Sequence, residues 1–287
     1  MVQEGNMKKL RRLSTLITKY FRKFASIVKT YFKMKTTLAT QVKSTSKENT
    51  LNTATMKCNI CGNSVFIDMN TRKYVKCKQC NSLERTRLLW MYLQISNIRK
   101  ESKVLHIAPE KGIYEGLSKI IDQDNYIVAD IDPTRYQFVD NCRKIDLCEL
   151  DGHPSFEYDF IIHSHVLEHI SCNIAYTLFH LHRMLKVNGQ HICIIPFVNG
   201  RYDESFQDLS NEERQIRFGQ FDHVRRFGNE DISSHLGKLL HLPNEFDATK
   251  DFFVEDLLKA NIPESHWKGF HTSTVLRLKR NDMKFIE

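Results

Sequence analysis

Val104-Leu105-His106-Ile107-Ala108-Pro109-Glu110 opens the part of the chain that decides the fold: an apolar run that a proline breaks. Two similar runs follow. Tyr126-Ile127-Val128-Ala129-Asp130 ends on an acid, and Tyr158-Asp159-Phe160-Ile161-Ile162-His163 leads into Ser164-His165-Val166-Leu167-Glu168-His169. Between the first two lies 112–121, long enough for a crossover helix. Short apolar runs alternating with helical patterns predict a parallel sheet of α/β class, whose ligands sit at the carboxyl ends of the strands.

Working outward, the pattern places strands at 103–108, 126–130, 142–146, 158–163, 190–195 and 272–279. Helices are expected at 113–121, 175–185, 231–240 and 252–260, with a short turn of helix after Pro133. Asn188-Gly189 reads as the C-cap of the 175–185 helix, and Pro196 stops the strand before it. No internal repeat is present.

Upstream, Cys58-Asn59-Ile60-Cys61 and Cys77-Lys78-Gln79-Cys80 form two CxxC pairs separated by fifteen residues. That spacing suits a structural zinc ion held by Cys58, Cys61, Cys77 and Cys80, with Val65-Phe66-Ile67 and Tyr74-Val75 as a small hairpin between them. Four thiolates leave no open coordination position, so the metal is expected to hold structure rather than do chemistry. A module of 57–82 is too short to build a sufficient core, and a metal supplies the missing stability. Over 83–102 a connecting helix is expected, with Ser82 as its cap. Arg85 and Arg87 near its start read either as surface charges or as groups reaching the mouth of a site.

The overall charge of +8 is unevenly distributed. Residues 1–50 contain twelve Lys or Arg against Glu4 and Glu48, a local +10, and the remainder carries −2. A basic nucleic-acid-binding body is therefore disfavoured, although Lys57, Lys73, Lys76 and Lys78 keep nucleic acid open as a partner. Residues 1–36 predict a basic amphipathic helix: Leu10, Leu13, Leu16, Ile17, Tyr20, Phe21 and Phe24 recur at helical spacing over 8–35, with basic residues opposite. Such a helix suits an anionic membrane surface, packing on protein, or targeting. Residues 37–56 read as a linker. No run is apolar enough for a membrane span or a secretory signal, so the expected place is the cytosol, at most peripheral to the inner membrane face. The eight cysteines are accordingly expected as thiols or metal ligands, not disulfides.

Asp130, at a strand end, can accept both hydroxyls of a ribose, two acceptors meeting two donors; the competing reading is a turn aspartate. Asp146 ends the third predicted strand and can accept from an adenine amino group. With these acids in place, the chain from 103 to 279 resembles the class I S-adenosylmethionine-dependent methyltransferases. The first motif is Val104 to Glu110, the second Ala129-Asp130-Ile131-Asp132-Pro133, the third Asp146-Leu147. Val166-Leu167-Glu168-His169 and Arg183-Met184-Leu185-Lys186-Val187-Asn188-Gly189-Gln190 match segments around the fourth and fifth strands. The resemblance implies a Rossmann-like seven-stranded methyltransferase sheet over 103–287, one strand antiparallel. It also implies cofactor contacts from Ala108, Pro109, Glu110, Gly112, Asp130, Ile131, Asp146, Leu147 and His163. The cysteine knuckle, 82–93 and Phe218-Gly219-Gln220-Phe221-Asp222-His223-Val224-Arg225-Arg226-Phe227-Gly228 resemble a zinc-ribbon subgroup associated with bacterial surface-glycan gene clusters. That implies a small or glycan-linked methyl acceptor.

The first motif departs from the family's acid-x-Gly-x-Gly-x-Gly: His106, Ala108 and Glu110 replace the acid and two glycines. Glu110 must turn away or bind the cofactor itself. For a hydroxyl acceptor a proton acceptor is required, and His223 is the candidate, with Asp222 or Arg225 to orient it or to bind an anionic substrate. The alternative for His223 is a structural histidine. His163, His165 and His169 do not fall on one face, so pocket-lining roles for His165 or His169 are favoured over a second metal. Trp90 and Trp267 read as packing residues. The competing functions are an RNA methyltransferase using knuckle and tail, and a membrane-tethered scaffold with a degenerate pocket.

Overall fold

The structure is a computed structural model and describes residues 56–286. The amphipathic helix expected over 1–36 and all but the last residue of the linker expected over 37–56 lie outside the described residues.

The chain opens with a hairpin, β1 (Phe66–Met69) and β2 (Arg72–Cys77), and continues into helix α1 (Glu84–Ile95). Next come β3 (Val104–Ile107), α2 (Lys111–Leu117), β4 (Tyr126–Asp130), β5 (Cys142–Lys144) and β6 (Tyr158–Ser164). Helix α3 (Ile174–Met184) leads into β7 (Leu185–Ile194). A further set comprises β8 (Phe197–Val198), β9 (Asp203–Glu204), α4 (Asn211–Phe218) and β10 (Arg225–Gly228). Short helices α5 (Leu236–Leu239) and α6 (Val254–Lys259) precede β11 (Val275–Lys279).

Six strands make the central sheet, in the order β11-β7-β6-β3-β4-β5. Five are parallel and β11 is antiparallel to β7. This is the expected Rossmann-like arrangement, with six strands rather than seven among the described residues. The order reverses between β4 and β6 on either side of β3, which opens a crevice at the strands' carboxyl ends. Apolar side chains on both faces explain the strands' continuous apolar runs: Leu105, Ile127 and Ile161 join one core cluster, Val104, Phe160 and Ile162 the other.

Two boundaries differ from expectation. Helix α3 ends at Met184, and Leu185 already pairs with Tyr158 of β6. The register then slips before Phe160 pairs with Gln190, so Lys186–Gly189 forms an irregularity within β7 rather than a helix cap. Gly189 is needed there because an added Cβ would lie 2.9 Å from the Tyr158 carbonyl. The helix expected over 231–240 is instead a short 3₁₀ turn, Ile232–Ser234, and α5.

The hairpin and α1 are tied to the sheet domain by Arg87, which is fully buried. It donates from Nε to the Ala260 carbonyl (2.7 Å), from Nη1 to those of Val75 (3.1 Å) and Ser82 (2.8 Å), and from Nη2 to those of Val75 (3.1 Å) and Asn261 (2.8 Å). It is neither a surface charge nor a group at the mouth of the site. Trp90 and Trp267 are buried in the core as expected.

Candidate active site and metal knuckle

At the crevice the ends of the strands enclose a cavity of about 520 Å³, within the range of small-ligand sites. Ile107 and Ala108 follow from β3, Asp130 and Ile131 from β4, and Asp146, Leu147 and Cys148 from the loop after β5. His165, Val166, His169, Ile170, Ser171 and Cys172 come from the segment after β6, and Asp222 from the turn before β10.

Of the expected cofactor residues, Ala108, Asp130, Ile131, Asp146 and Leu147 line this cavity. Asp130 Oδ1 accepts from the Asp132 amide (2.8 Å) and Oδ2 from the Tyr136 hydroxyl (2.9 Å), which fixes the carboxylate while leaving each oxygen further acceptor capacity. Asp146 Oδ1 is held by the Cys148 amide (2.8 Å). Ala108 takes φ 50°, a left-handed conformation that glycine adopts more readily, at the position where the family's first glycine was expected.

Pro109, Glu110, Gly112 and His163 do not line it. Glu110 turns away, placing Oε2 3.8 Å from His106 Nε2. Burial works against its charged form, but His106, Arg85 and Ser164 outweigh burial and hold its carboxyl below the usual range. Gly112 starts α2 against the knuckle: an added Cβ would sit 3.0 Å from Ile60 Cγ2 and 3.5 Å from Cys80 Cβ. Its small size serves packing, not cofactor approach. His163 is wholly enclosed in the sheet beside His191, and burial pushes its imidazole down to about 4.

The two catalytic candidates separate. Arg225 is fully buried, donating to Glu204 Oε2 (2.8 Å) and to the carbonyls of Leu167 and Cys172 (2.7 Å). Each of its three nitrogens donates to the protein and the side chain is fully buried, so it braces β9 and the segment after β6 rather than facing substrate. His223 is part-buried and meets His169 edge-on, ring centroids 4.6 Å apart. Its Nδ1 lies 3.2 Å from the Phe218 carbonyl, and burial pushes its imidazolium down, favouring a neutral ring with Nε2 as acceptor.

The segment after β6 supplies what sequence reading undervalued. Glu168 is 1% exposed, yet neither carboxylate oxygen has a hydrogen-bond partner among the described residues. His165 Nδ1 stands 3.3 Å from Glu168 Oε1, and His169 Nδ1 stands 3.3 Å from Asp222 Oδ2. One ligand-capable atom from each of Glu168, His169 and His223 falls within 4.8 Å of the others. The Glu-His dipeptide was visible; its meeting with His223, on the far side of β7, was not.

In the knuckle, Cys58 and Cys80 sulfurs are 3.5 Å apart, as are those of Cys61 and Cys77. All four lie within 4.8 Å, compatible with a tetrahedral ion whose Zn–S bonds are about 2.3 Å. Ser82 does not cap α1. Its hydroxyl lies 3.3 Å from Cys58 Sγ and 3.2 Å from Cys80 Sγ, and α1 starts after Leu83 without a side-chain cap. Contrary to the all-thiol expectation, Cys148 and Cys172 form a disulfide in the cavity wall.

No protein-family model and no curated protein matches the chain. Solved structures do. YcgJ from Bacillus subtilis is 15% identical, with 62% of this chain and 79% of that one covered at a TM-score of 0.41. A Bacillus halodurans protein assigned as a methyltransferase is 15% identical over 55% of this chain and 70% of its own, TM-score 0.39. The Haemonchus contortus phosphoethanolamine N-methyltransferase 2, bound to S-adenosyl-L-methionine, is 15% identical over 61% of this chain and 41% of its own, TM-score 0.39. At this level the likeness assigns no activity.

Proposed function

We propose that the chain is a methyltransferase that uses S-adenosylmethionine, acts on a hydroxyl of a small or glycan-linked acceptor, and carries a structural zinc ion on Cys58, Cys61, Cys77 and Cys80. The observation that carries this reading is the convergence of Asp130, at the end of β4, and Asp146, from the loop after the neighbouring β5, on one cavity at the switch point of the sheet.

Asp130, pinned by Tyr136, presents acceptor positions for the two ribose hydroxyls, and Asp146 stands where an adenine amino group can donate. Ile107, Ile131, Leu147 and Ile170 give the apolar walls that a base requires. When bound, the sulfonium supplies an activated methyl carbon whose leaving group is a neutral thioether. The protein's task is therefore alignment, plus removal of the acceptor's proton. The Glu168, His169 and His223 cluster, with Asp222 beside it, is the group of side chains able to manage that proton. The acceptor class rests on the resemblance of the Phe218–Gly228 segment to the surface-glycan-associated subgroup.

Calorimetry with S-adenosylhomocysteine is the test. The full chain should bind it, and Asp130→Ala should weaken binding at least ~10-fold, the scale of one or two lost charge-assisted hydrogen bonds. Unchanged affinity in the variant would place the nucleoside elsewhere and remove the reading.

A further inference from the structure

We infer that Glu168, His169 and His223 bind a divalent first-row cation at the wall of the cavity, distinct from the cysteine site, and that this ion receives the acceptor hydroxyl. Four observations meet here. The ligand-capable atoms of the three side chains lie within 4.8 Å of one another. The Glu168 carboxylate is buried and neither oxygen is hydrogen-bonded; His165 Nδ1 stands 3.3 Å from Oε1 without bonding it, an arrangement that costs free energy unless further positive charge faces the carboxylate. Each imidazole is oriented through Nδ1, His169 by the Asp222 main-chain carbonyl (3.3 Å), with the Asp222 carboxylate at the same distance, and His223 by the Phe218 carbonyl (3.2 Å), which leaves both Nε2 atoms free as donors to an ion. Carboxylate and carbonyl partners of this kind accompany metal-binding histidines and fix the tautomer. Finally, His169 and Asp222 line the cavity, so the cluster adjoins it.

Two histidines and one carboxylate leave coordination sites vacant, unlike the four-thiolate set, and this mixed nitrogen–oxygen set suits Mn²⁺, Fe²⁺ or Zn²⁺. The inference deepens the proposed methyl transfer and depends on it only for the ion's role, not for its binding. In that role the ion takes the oxygen of an acceptor hydroxyl and lowers its pKa. The proton passes to the Asp222 carboxylate and on to solvent. The oxygen's lone pair then forms the new C–O bond as the methyl C–S bond breaks, and that bond's electron pair stays on sulfur, giving the neutral thioether. A hydroxyl acceptor follows.

The test is titration of the full chain, its cysteine site loaded with zinc, with Mn²⁺ followed by electron paramagnetic resonance. Calorimetry with S-adenosylhomocysteine is run in parallel. One Mn²⁺ per chain is expected. Glu168→Gln and His223→Asn should each weaken it more than ~10-fold. Zinc content and S-adenosylhomocysteine binding should stay as they were. If Glu168→Gln fails to fold, His223→Asn, at the surface of the cluster, carries the decision. Absence of a Mn²⁺ site, or equal binding by the His223 variant, overturns the inference. Cofactor binding without Mn²⁺ binding would leave the methyltransferase reading standing, and the reverse would remove that reading while keeping the ion.

Discussion

Arg225 shows how a residue type can point to the wrong role. An arginine two residues after a candidate base suggests anion binding, yet its three donor nitrogens are spent on Glu204, Leu167 and Cys172. Removing a buried partner of this kind leaves carbonyls and a carboxylate unsatisfied. Arg225→Met should therefore cost about 3 kcal/mol or more in chemical denaturation, while cofactor affinity persists at temperatures where the variant is folded. Loss of affinity with full stability would restore Arg225 to the site. His163 makes a second case. Burial lowers its value from 6.5 to about 4, so the unfolded chain binds the extra proton first as pH falls. Stability tied to the neutral ring is complete above pH 6.5 and is lost as pH falls toward 4, by roughly 3 kcal/mol in all. Denaturation midpoints at pH 7.5 and 4.5 should differ less in His163→Leu than in the parent; an equal difference would show that another group governs acid sensitivity. Asp130 was legible because a strand-end acid points to the crevice wherever the sheet is parallel; Asp146 was expected at a strand end but lies two residues past β5, in the loop that still lines the crevice. His163 was not, since one position along a strand decides between crevice and core, and only the pairing with β7 reveals which.

Among elements, α1 fits closely against α2. Gly116 faces the Trp90 ring so tightly that an added Cβ would lie 2.6 Å from Cη2. The indole cannot retreat, because it is 7% exposed within the same core cluster. Gly116→Ala is expected to destabilise by about 1–3 kcal/mol, measured by thermal or chemical unfolding, despite alanine's better helix propensity. A neutral or stabilising result would mean that the helices can separate. The central strands and α3 were legible from periodicity, because their apolar faces are long. Helix α4 was passed over although Ser210 and Glu213 form a capping box and Gly219 closes it at φ 90°. Its residues are mostly exposed and polar, so no apolar period advertised it. The α3–β7 boundary was misplaced because Asn188-Gly189 signals a turn without saying whether a helix or a bulged strand precedes it.

At the scale of the whole molecule, the knuckle is part of the domain's structure rather than an appendage. The Lys57 amide donates to the Lys259 carbonyl (2.8 Å), Asn261 Nδ2 donates to the Tyr74 carbonyl (2.8 Å), and Ile60 lies against Gly112. Metal removal should therefore unsettle more than 57–82. With a strong chelator, about one zinc should be released per chain and the melting temperature of the entire domain should drop. Zinc release with an unchanged melting transition would show the knuckle to be energetically separate. The cysteine spacing announced the four-sulfur cluster, but no local pattern told where the module would dock, because partners such as Lys259, Ala260 and Asn261 lie roughly two hundred residues later. Arg87 makes this concrete, joining Val75 and Ser82 to Ala260 and Asn261 through one guanidinium. During synthesis the ribosome delivers the front half of that joint some 170 residues before its back half. A nascent chain must hold an unmated cation and a half-built seam until Ala260 and Asn261 have emerged, and any truncation short of Ala260 leaves that seam open for good.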